Sequence, residues 1–182
     1  MHALDPVIGY LMVSTFSLLY LEAAYHKWIS VPRFSATLTS YRLIPASASP
    51  ATAILIPSIE TAVALGLWLP SLRAIAAQAG TSLLLLYALA ITVNLYRGRR
   101  DLDCGCSGPL NRRPIAPWMA VRNVLLAILL GTSQYPWQSR DWTLVDTLTL
   151  SGGFFILVLL YQTSDQLLGR VLPAARRLQG LI

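Results

Sequence analysis

The sequence predicts an all-α membrane protein, a bundle of about five transmembrane helices with its N-terminus outside and its C-terminus in the cytoplasm. Of the 182 residues, 55% are hydrophobic and 12% are charged, and the mean hydropathy is +0.57. Soluble domains carry about 25% charged residues. The run from Ala74 to Tyr96 contains no charge, and about 20 such residues cross a hydrocarbon core. These observations exclude a soluble globule, a disordered chain and a disulfide scaffold.

Five apolar stretches divide the chain into predicted spans. Each is about 20 residues long and lacks the strict alternation of a barrel strand, so we expect helices. A chain of this length predicts one bundle over residues 1–182 rather than two domains. The predicted spans are residues 7–28, 51–69, 74–96, 117–135 and 143–161.

The ends of these spans carry the residues expected there. We expect the first span to remain as a helix and not to be a cleavable signal peptide, because no Lys or Arg precedes it and no small-residue cleavage site ends it. Pro70 lies in a tight turn between the second and third spans, and Pro136 closes the fourth. The tryptophans fall near span ends, as in an interfacial belt: Trp28, Trp68, Trp118, Trp137 and Trp142.

The basic residues predict the orientation of the bundle, because cytoplasmic connections are enriched in Lys and Arg. Arg73 and Arg140 lie on one predicted side, and Arg122 lies within a span. The count places the N-terminus outside and the basic tail, residues 165–182, in the cytoplasm. The predicted cytoplasmic side has the other eleven basic residues: Lys27, Arg33, Arg42, Arg97, Arg99, Arg100, Arg112, Arg113, Arg170, Arg176 and Arg177.

The positive charge of the chain does not indicate nucleic-acid binding. The net charge is +6 and the isoelectric point is about 9.7. The basic residues lie at short breaks between apolar runs, and no basic stripe is interleaved with aromatic residues. Membrane topology therefore accounts for the charge.

Both cysteines lie in one connection, the Cys-Gly-Cys loop of residues 101–116. Gly105 separates Cys104 from Cys106 and permits a tight turn. A disulfide across one intervening residue is strained, and strained disulfides exchange easily. The pair is therefore predicted to be redox-active rather than a structural staple. Two alternatives stay open: two unrelated thiols, or a metal site whose further ligand is His26, although no tetrahedral set is complete.

Polar side chains within the spans concentrate in the membrane half next to this loop. Intramembrane charges are candidate functional residues by default. Arg122 lies five residues after Pro117, which is roughly 8 Å along the fourth helix. It is a candidate to stabilise a thiolate of Cys104 or Cys106. The alternative is a structural ion pair of Arg122 with Glu60 or Glu22. The set comprises Glu22 and His26, which are four residues apart and suited to pair, together with Asn94, Arg122 and Asn123.

Glu60 lies near the middle of the second span, three residues after Pro57. Proline removes a helical hydrogen bond and frees a carbonyl one turn earlier. A carboxyl group beside such a break is a candidate proton relay. It is also a candidate for ligand binding or for packing in its protonated form, and the sequence does not rank the three roles.

One run of sequence is distinctive. It is NLYRGRRDLDCGC at residues 94–106, followed by Gly108-Pro109 and by Arg122-Asn123 in the next span. With this run between two spans, the chain resembles the MauE family of methylamine utilisation membrane proteins over nearly its whole length. The segments at residues 41–45 and around Glu60 also resemble family positions, and Ser107 is a minor departure.

The resemblance implies a role in maturing methylamine dehydrogenase, a periplasmic enzyme whose small subunit is rich in disulfides. It implies a thioredoxin-like partner of the MauD type and a multi-pass location in the bacterial inner (plasma) membrane. Cys104 and Cys106 would then exchange disulfides, and Arg122 and Glu60 keep the candidate roles that their positions indicate. No cofactor is evident. With one pair, the chain must exchange directly with a partner's thiols or with a small oxidant or reductant such as a quinone.

Two other functions compete with thiol exchange. A non-catalytic scaffold that docks the thioredoxin-like partner would depend on the arginine-rich residues 97–113 and not on the cysteines. A transporter with Glu60 and Arg122 along its path is disfavoured, because five spans show no inverted repeat. The charge count predicts that the cysteines lie on the cytoplasmic side of the membrane. The disulfides of the dehydrogenase form on the other side, and the sequence does not resolve this conflict.

Overall fold

The computed structural model describes residues 4–102 and 114–167. Within these ranges the chain is helical, which confirms the predicted fold class. The helices are α1 (Pro6–Ile29), α2 (Val31–Tyr41), α3 (Ser49–Gly66), α4 (Arg73–Tyr96), α5 (Pro117–Thr132) and α6 (Leu144–Gln166), with a short 3-10 turn at Ala46–Ala48 before α3.

Within residues 4–102 and 114–167, four helical segments are long and apolar enough to cross a membrane: Pro6–Ile29, Ala46–Gly66, Arg73–Tyr96 and Leu144–Ser164. Helix α5 is apolar but shorter, with 16 residues. It ends at Thr132, before the predicted end at residue 135, because Ser133, Gln134 and Tyr135 form turns ahead of Pro136. About five spans were predicted, and four to five helices fit that description.

Helix α2 was not predicted, since its residues were assigned to a connection. Its apolar residues are spaced by four and three, at Phe34, Leu38 and Tyr41, so only one face is hydrophobic. Phe34 and Tyr41 are buried. A search for continuous apolar runs overlooks a helix of this kind, whereas its periodicity and the proline in its first turn would have indicated it.

The chain divides into two compact units, residues 1–15 with 136–182, and residues 16–135. In the second unit, α4 packs on α5 and on α3, and α3 packs on α2. The hydroxyl of Tyr20 on α1 donates to the carbonyl of Gly80 on α4 at 2.7 Å. A Cβ at Gly80 would lie 2.8 Å from Leu130 and 3.1 Å from Val63, so glycine permits this close helix packing.

The first unit joins the start of α1 to the segment that leads into α6. The amide of Leu4 donates to Pro136, and that of Gln138 donates back to Leu4. The ring of Tyr10 makes edge contacts with Trp137 and Trp142, at 4.9 and 5.6 Å between centroids. Thr143 and Asp146 form a capping box at the start of α6. The single bundle over residues 1–182 stays a prediction.

Candidate functional site

The predicted redox pair, Cys104 and Cys106, lies in residues 103–113, outside the described residues, and so do Gly105, Ser107 and Gly108-Pro109. The structure describes the two flanks of this segment. The amide of Ile115 donates to the carbonyl of Leu102 at 2.9 Å. The chain therefore leaves and re-enters the described fold at one place.

The flanks rest on a buried hydrophobic cluster, which we call the anchor cluster. Its buried members are Tyr41, Ile91, Ile115 and Met119, which come from α2, α4, the segment before α5, and α5 itself. Leu102 packs against them, as do Ala90, Leu95, Trp118 and Ala120. The cluster fixes both ends of the cysteine-bearing segment against three helices.

The first half of the distinctive sequence run ends helix α4. Gly98 has φ +74°, a left-handed conformation that glycine adopts without strain. The amide of Arg99 donates to the carbonyl of Asn94 at 3.0 Å, and that of Gly98 donates to Leu95 at 3.0 Å. These two bonds form a Schellman motif. The order Asn-Leu-Tyr-Arg-Gly-Arg is thus a helix stop that turns the chain toward Leu102.

Arg99 joins this helix stop to the end of α2. Its Nη2 donates to the carbonyl of Ser40 at 2.6 Å, and its Nη1 donates to that of Tyr41 at 3.3 Å. The same Nη1 lies 3.2 Å from Oδ1 of the fully buried Asn94. A guanidinium group can bond to all three oxygens because its N–H donors point in different directions within one plane. Arg99 was predicted as a topological charge and as part of the arginine-rich residues 97–113, and no local pattern in the sequence indicates its partners on α2.

A second polar centre, the Lys27–Glu60–Tyr87 triad, lies within the helices. Nζ of Lys27 on α1 lies 2.6 Å from Oε1 and 2.9 Å from Oε2 of Glu60 on α3. The hydroxyl of Tyr87 on α4 donates to Oε1 of Glu60 at 2.6 Å. The Lys27 and Glu60 side chains are 2% and 0% exposed. The triad therefore connects three helices away from solvent.

This geometry changes what the sequence indicated about both charged residues. Lys27 was counted among the basic residues of a connection, but it is a buried residue in the last turn of α1. Helix α3 continues without a break through Pro57. Glu60 forms its ion pair with Lys27, whereas the sequence had offered Arg122 as a candidate partner. Whether Glu60 relays protons stays a prediction.

The other polar residues of the predicted set occupy separate places. Nε2 of His26 lies 3.9 Å from Oε1 of Glu22, which is the predicted pairing along one helix. The guanidinium of Arg122 lies 5.3 Å from the ring centroid of Trp118, a cation–π contact beside the anchor cluster. The buried Nδ2 of Asn123 has no hydrogen-bond partner among the residues that the structure describes.

A cavity of about 520 Å³ lies between α2, α3 and α4, within residues 27–93. Its walls are almost entirely apolar. Lys27 and Tyr87 of the triad line it, and so do Tyr41, Ala90 and Ile91 of the anchor cluster. The cavity therefore joins the triad to the flanks of the cysteine-bearing segment.

Comparison with known proteins identifies the family. The family model described as "Methylamine utilisation protein MauE" matches residues 5–136. The chain belongs to the MauE family. It is 37% identical to the methylamine utilization protein MauE of Paracoccus versutus, over 93% of this chain and 91% of that protein. Identity is 30% to the protein of that name from Methylophilus methylotrophus, over 91% and 88% of the two chains.

A third MauE protein, from Paracoccus denitrificans, is 33% identical over 69% of this chain and 68% of its own length. The resemblance expected from the sequence is thus confirmed. MauE membership places this membrane protein in methylamine utilisation. No solved structure matches the chain.

Proposed function

We propose that this MauE-family protein is a membrane thiol–disulfide exchange protein, in which Cys104 and Cys106 support disulfide formation, folding or export of the methylamine dehydrogenase small subunit. A thioredoxin-like protein of the MauD type acts with it. We place it in the bacterial inner membrane, because the resemblance implies a periplasmic substrate and several helices are apolar enough to span a membrane.

The observation that carries this proposal is the construction around the flanks of the cysteine-bearing segment. The helix stop at Gly98 and the hydrogen bonds from Arg99 to α2 fix the chain just before Leu102. The anchor cluster holds Leu102 and Ile115 themselves. Cys104 follows Leu102 by two residues, which span about 7 Å when extended. Because both flanks are fixed, the length of the chain alone keeps the Cα of Cys104 within that distance of Leu102, beside the anchor cluster.

The exchange needs no outside electrons. A thiolate of the substrate attacks the Cys104–Cys106 disulfide, and its S–S bond breaks as a mixed disulfide forms. A second substrate thiolate attacks the mixed disulfide, which yields one substrate disulfide and the Cys104–Cys106 dithiol. Two thiol protons move from the substrate to the pair.

Arg122 supports this chemistry as a thiolate stabiliser. It lies on α5, seven residues after Ile115, and contacts Trp118 beside the anchor cluster. A guanidinium there favours the charged form of a nearby thiol and lowers its pKa. In Arg122→Gln, the pH at which alkylation of the pair is half-maximal should rise. An unchanged alkylation profile would remove Arg122 from the mechanism.

The deciding experiment replaces the cysteines in cells that make the dehydrogenase. Cys104→Ser and Cys106→Ser should each leave free thiols in the small subunit, measured by a maleimide gel shift. Ser107→Ala is the matched control, since it changes the same segment but keeps both thiols. Normal disulfides in the subunit of both cysteine variants, with the variant proteins present in the membrane, would reject the exchange function.

A non-catalytic scaffold is the second candidate, and the exposed Arg100 favours it. Arg99 points its guanidinium at α2 carbonyls, whereas exposed arginines are available to a partner. Under this function, Arg100→Gln would abolish maturation and both cysteine variants would support it. The opposite pattern supports exchange.

Sidedness of the cysteines is tested separately with a membrane-impermeant maleimide on intact cells. The charge count predicts labelling only after permeabilisation. With Lys27 now buried, that count has one cation fewer on its cytoplasmic side. Labelling of intact cells would reverse the predicted orientation and would place the thiols on the side where the subunit folds.

A further inference from the structure

The cavity between α2, α3 and α4 is a feature that thiol exchange leaves without a role. Its volume of about 520 Å³ falls in the range of small-molecule sites, about 300–1,000 Å³. Three of its leucines, Leu55, Leu86 and Leu89, are 57, 60 and 58% exposed. In a membrane protein, exposed leucines on spanning helices face lipid. The cavity is therefore open toward the bilayer, and a molecule dissolved there can enter from the side.

The polar groups at this cavity select the class of molecule. Tyr87 and Lys27 line it, and the hydroxyl of Tyr87 and the ammonium of Lys27 both contact Glu60. The remaining surface is nearly all hydrocarbon. A phospholipid headgroup is charged and large, so burying it here would be costly. A quinone has a neutral ring whose carbonyls accept hydrogen bonds from a hydroxyl or an ammonium, and an isoprenoid tail that matches the apolar walls.

We propose that this cavity binds a prenylated quinone, with the ring toward Lys27 and Tyr87 and the tail along α3 and α4. The triad suits both redox forms of the ring. Lysine donates only, whereas a tyrosine hydroxyl donates and accepts, so Tyr87 can turn from donating to a quinone carbonyl to accepting from a quinol hydroxyl. In this structure the Tyr87 hydroxyl donates to Glu60, so it must turn away from the carboxylate to donate to a quinone carbonyl, while Lys27 keeps its contacts with both oxygens of Glu60.

The position of the cavity suits a quinone that reoxidises the cysteine pair, and this role rests on the proposed thiol exchange. Tyr41, Ala90 and Ile91 belong both to the cavity wall and to the anchor cluster that holds Leu102. After exchange, the Cys104–Cys106 dithiol has to lose two electrons before it reacts again. Both S–H bonds break, one S–S bond forms, and the quinone takes two electrons and two protons to become the quinol.

The test measures binding of decylubiquinone to the purified full-length protein in detergent, by equilibrium dialysis. Ala90→Phe places a ring in the cavity, and binding should weaken at least tenfold. Ala74→Phe is the matched control on the same helix, because Ala74 is exposed and does not line the cavity. Its binding should equal that of the unaltered chain. Equal binding in the two variants overturns the site, and so does displacement of decylubiquinone by an equal concentration of phosphatidylcholine.

A second variant separates this inference from the proposed function. The Cys104→Ser/Cys106→Ser double variant should bind decylubiquinone with unchanged affinity, because the site is built from residues of α1 to α4. If that variant binds the quinone but matures the dehydrogenase normally, exchange fails and the binding site stands. If the Ala90→Phe protein binds like the control but the cysteine variants do not mature the enzyme, the binding site fails and exchange stands. Tyr87→Phe should weaken binding threefold or more, and unchanged affinity in that variant overturns the placement of the ring at the triad.

Discussion

Two ionic clusters in this chain use the same chemistry in opposite surroundings. The triad in residues 16–135 pairs Lys27 with Glu60, and both side chains are almost completely buried. The cluster in the other unit pairs Arg140 with Asp5 and Asp146, at 3.0 and 2.7 Å. There the side chains of Arg140 and Asp5 are 34 and 38% exposed, whereas that of Asp146 is 10% exposed.

The difference between the two clusters shows how burial changes the contribution of an ion pair to stability. Water screens exposed charges, so pairs of that kind contribute little to stability. A buried pair depends on both partners, since removal of one leaves a charge without water or a counter-ion. The triad also connects α1, α3 and α4 beside the cavity, whereas Arg140 connects Asp5 to the capping box of α6.

Glu60→Gln should give the largest effect. The amide no longer neutralises the ammonium of Lys27, so we expect a loss of about 3–5 kcal/mol in the free energy of unfolding. Thermal and denaturant unfolding of the purified protein in detergent measures it. A loss below about 1 kcal/mol would show that water reaches the pair and would cancel the contrast between the clusters.

Adding Lys27→Met to Glu60→Gln should restore most of that stability. The double variant has no buried charge, the amide carbonyl introduced on α3 still accepts from Tyr87, and buried ion pairs replaced by apolar groups are often neutral in stability. The same unfolding measurement is used, with Lys27→Met alone as the matched control. A double variant no more stable than Glu60→Gln would mean that the charge itself is not the cause.

Tyr87→Phe should have an intermediate effect, because it removes one hydroxyl donor but leaves both charges paired. Hydrogen bonds to charged groups contribute about 1.5–3 kcal/mol, and Lys27 still contacts both carboxylate oxygens. Unfolding free energies should fall by about 1.5 kcal/mol, the lower end of that range. A loss as large as that of Glu60→Gln would show that Tyr87, and not Lys27, holds the carboxylate.

The exposed pair of Arg140 and Asp5 should give the smallest effect, visible only in acid. A hydrogen bond from Arg140 is the main cause that lowers the pKa of Asp5 below its ordinary value. A lowered pKa adds stability that is present above the unfolded pKa of about 4 and is lost as pH falls through the lower folded value. The melting temperature should therefore drop below about pH 4 more in the unaltered chain than in Asp5→Asn. Equal acid sensitivity in the two proteins would remove Asp5 from the cluster.

Much of the fold was predictable because each membrane-spanning helix corresponds to a continuous apolar run in the sequence. The uncharged residues 74–96 predicted α4 almost to the residue. Helix α2 was missed because it is hydrophobic on one face only, and α5 proved shorter than its apolar run. The loop of Cys104 and Cys106 was located by composition alone, and the distinctive run from Asn94 onward indicated the family.

The sequence by itself determined the class of the protein, the approximate spans and the connection that holds both cysteines. Only the tertiary structure paired Lys27 with Glu60, set Arg99 on the end of α2 and opened a cavity between three helices. Apolar runs and helix stops are local, so neighbouring residues encode them. Lys27 and Glu60 are 33 residues apart, and which charge meets which carboxylate depends on how α1 and α3 pack together.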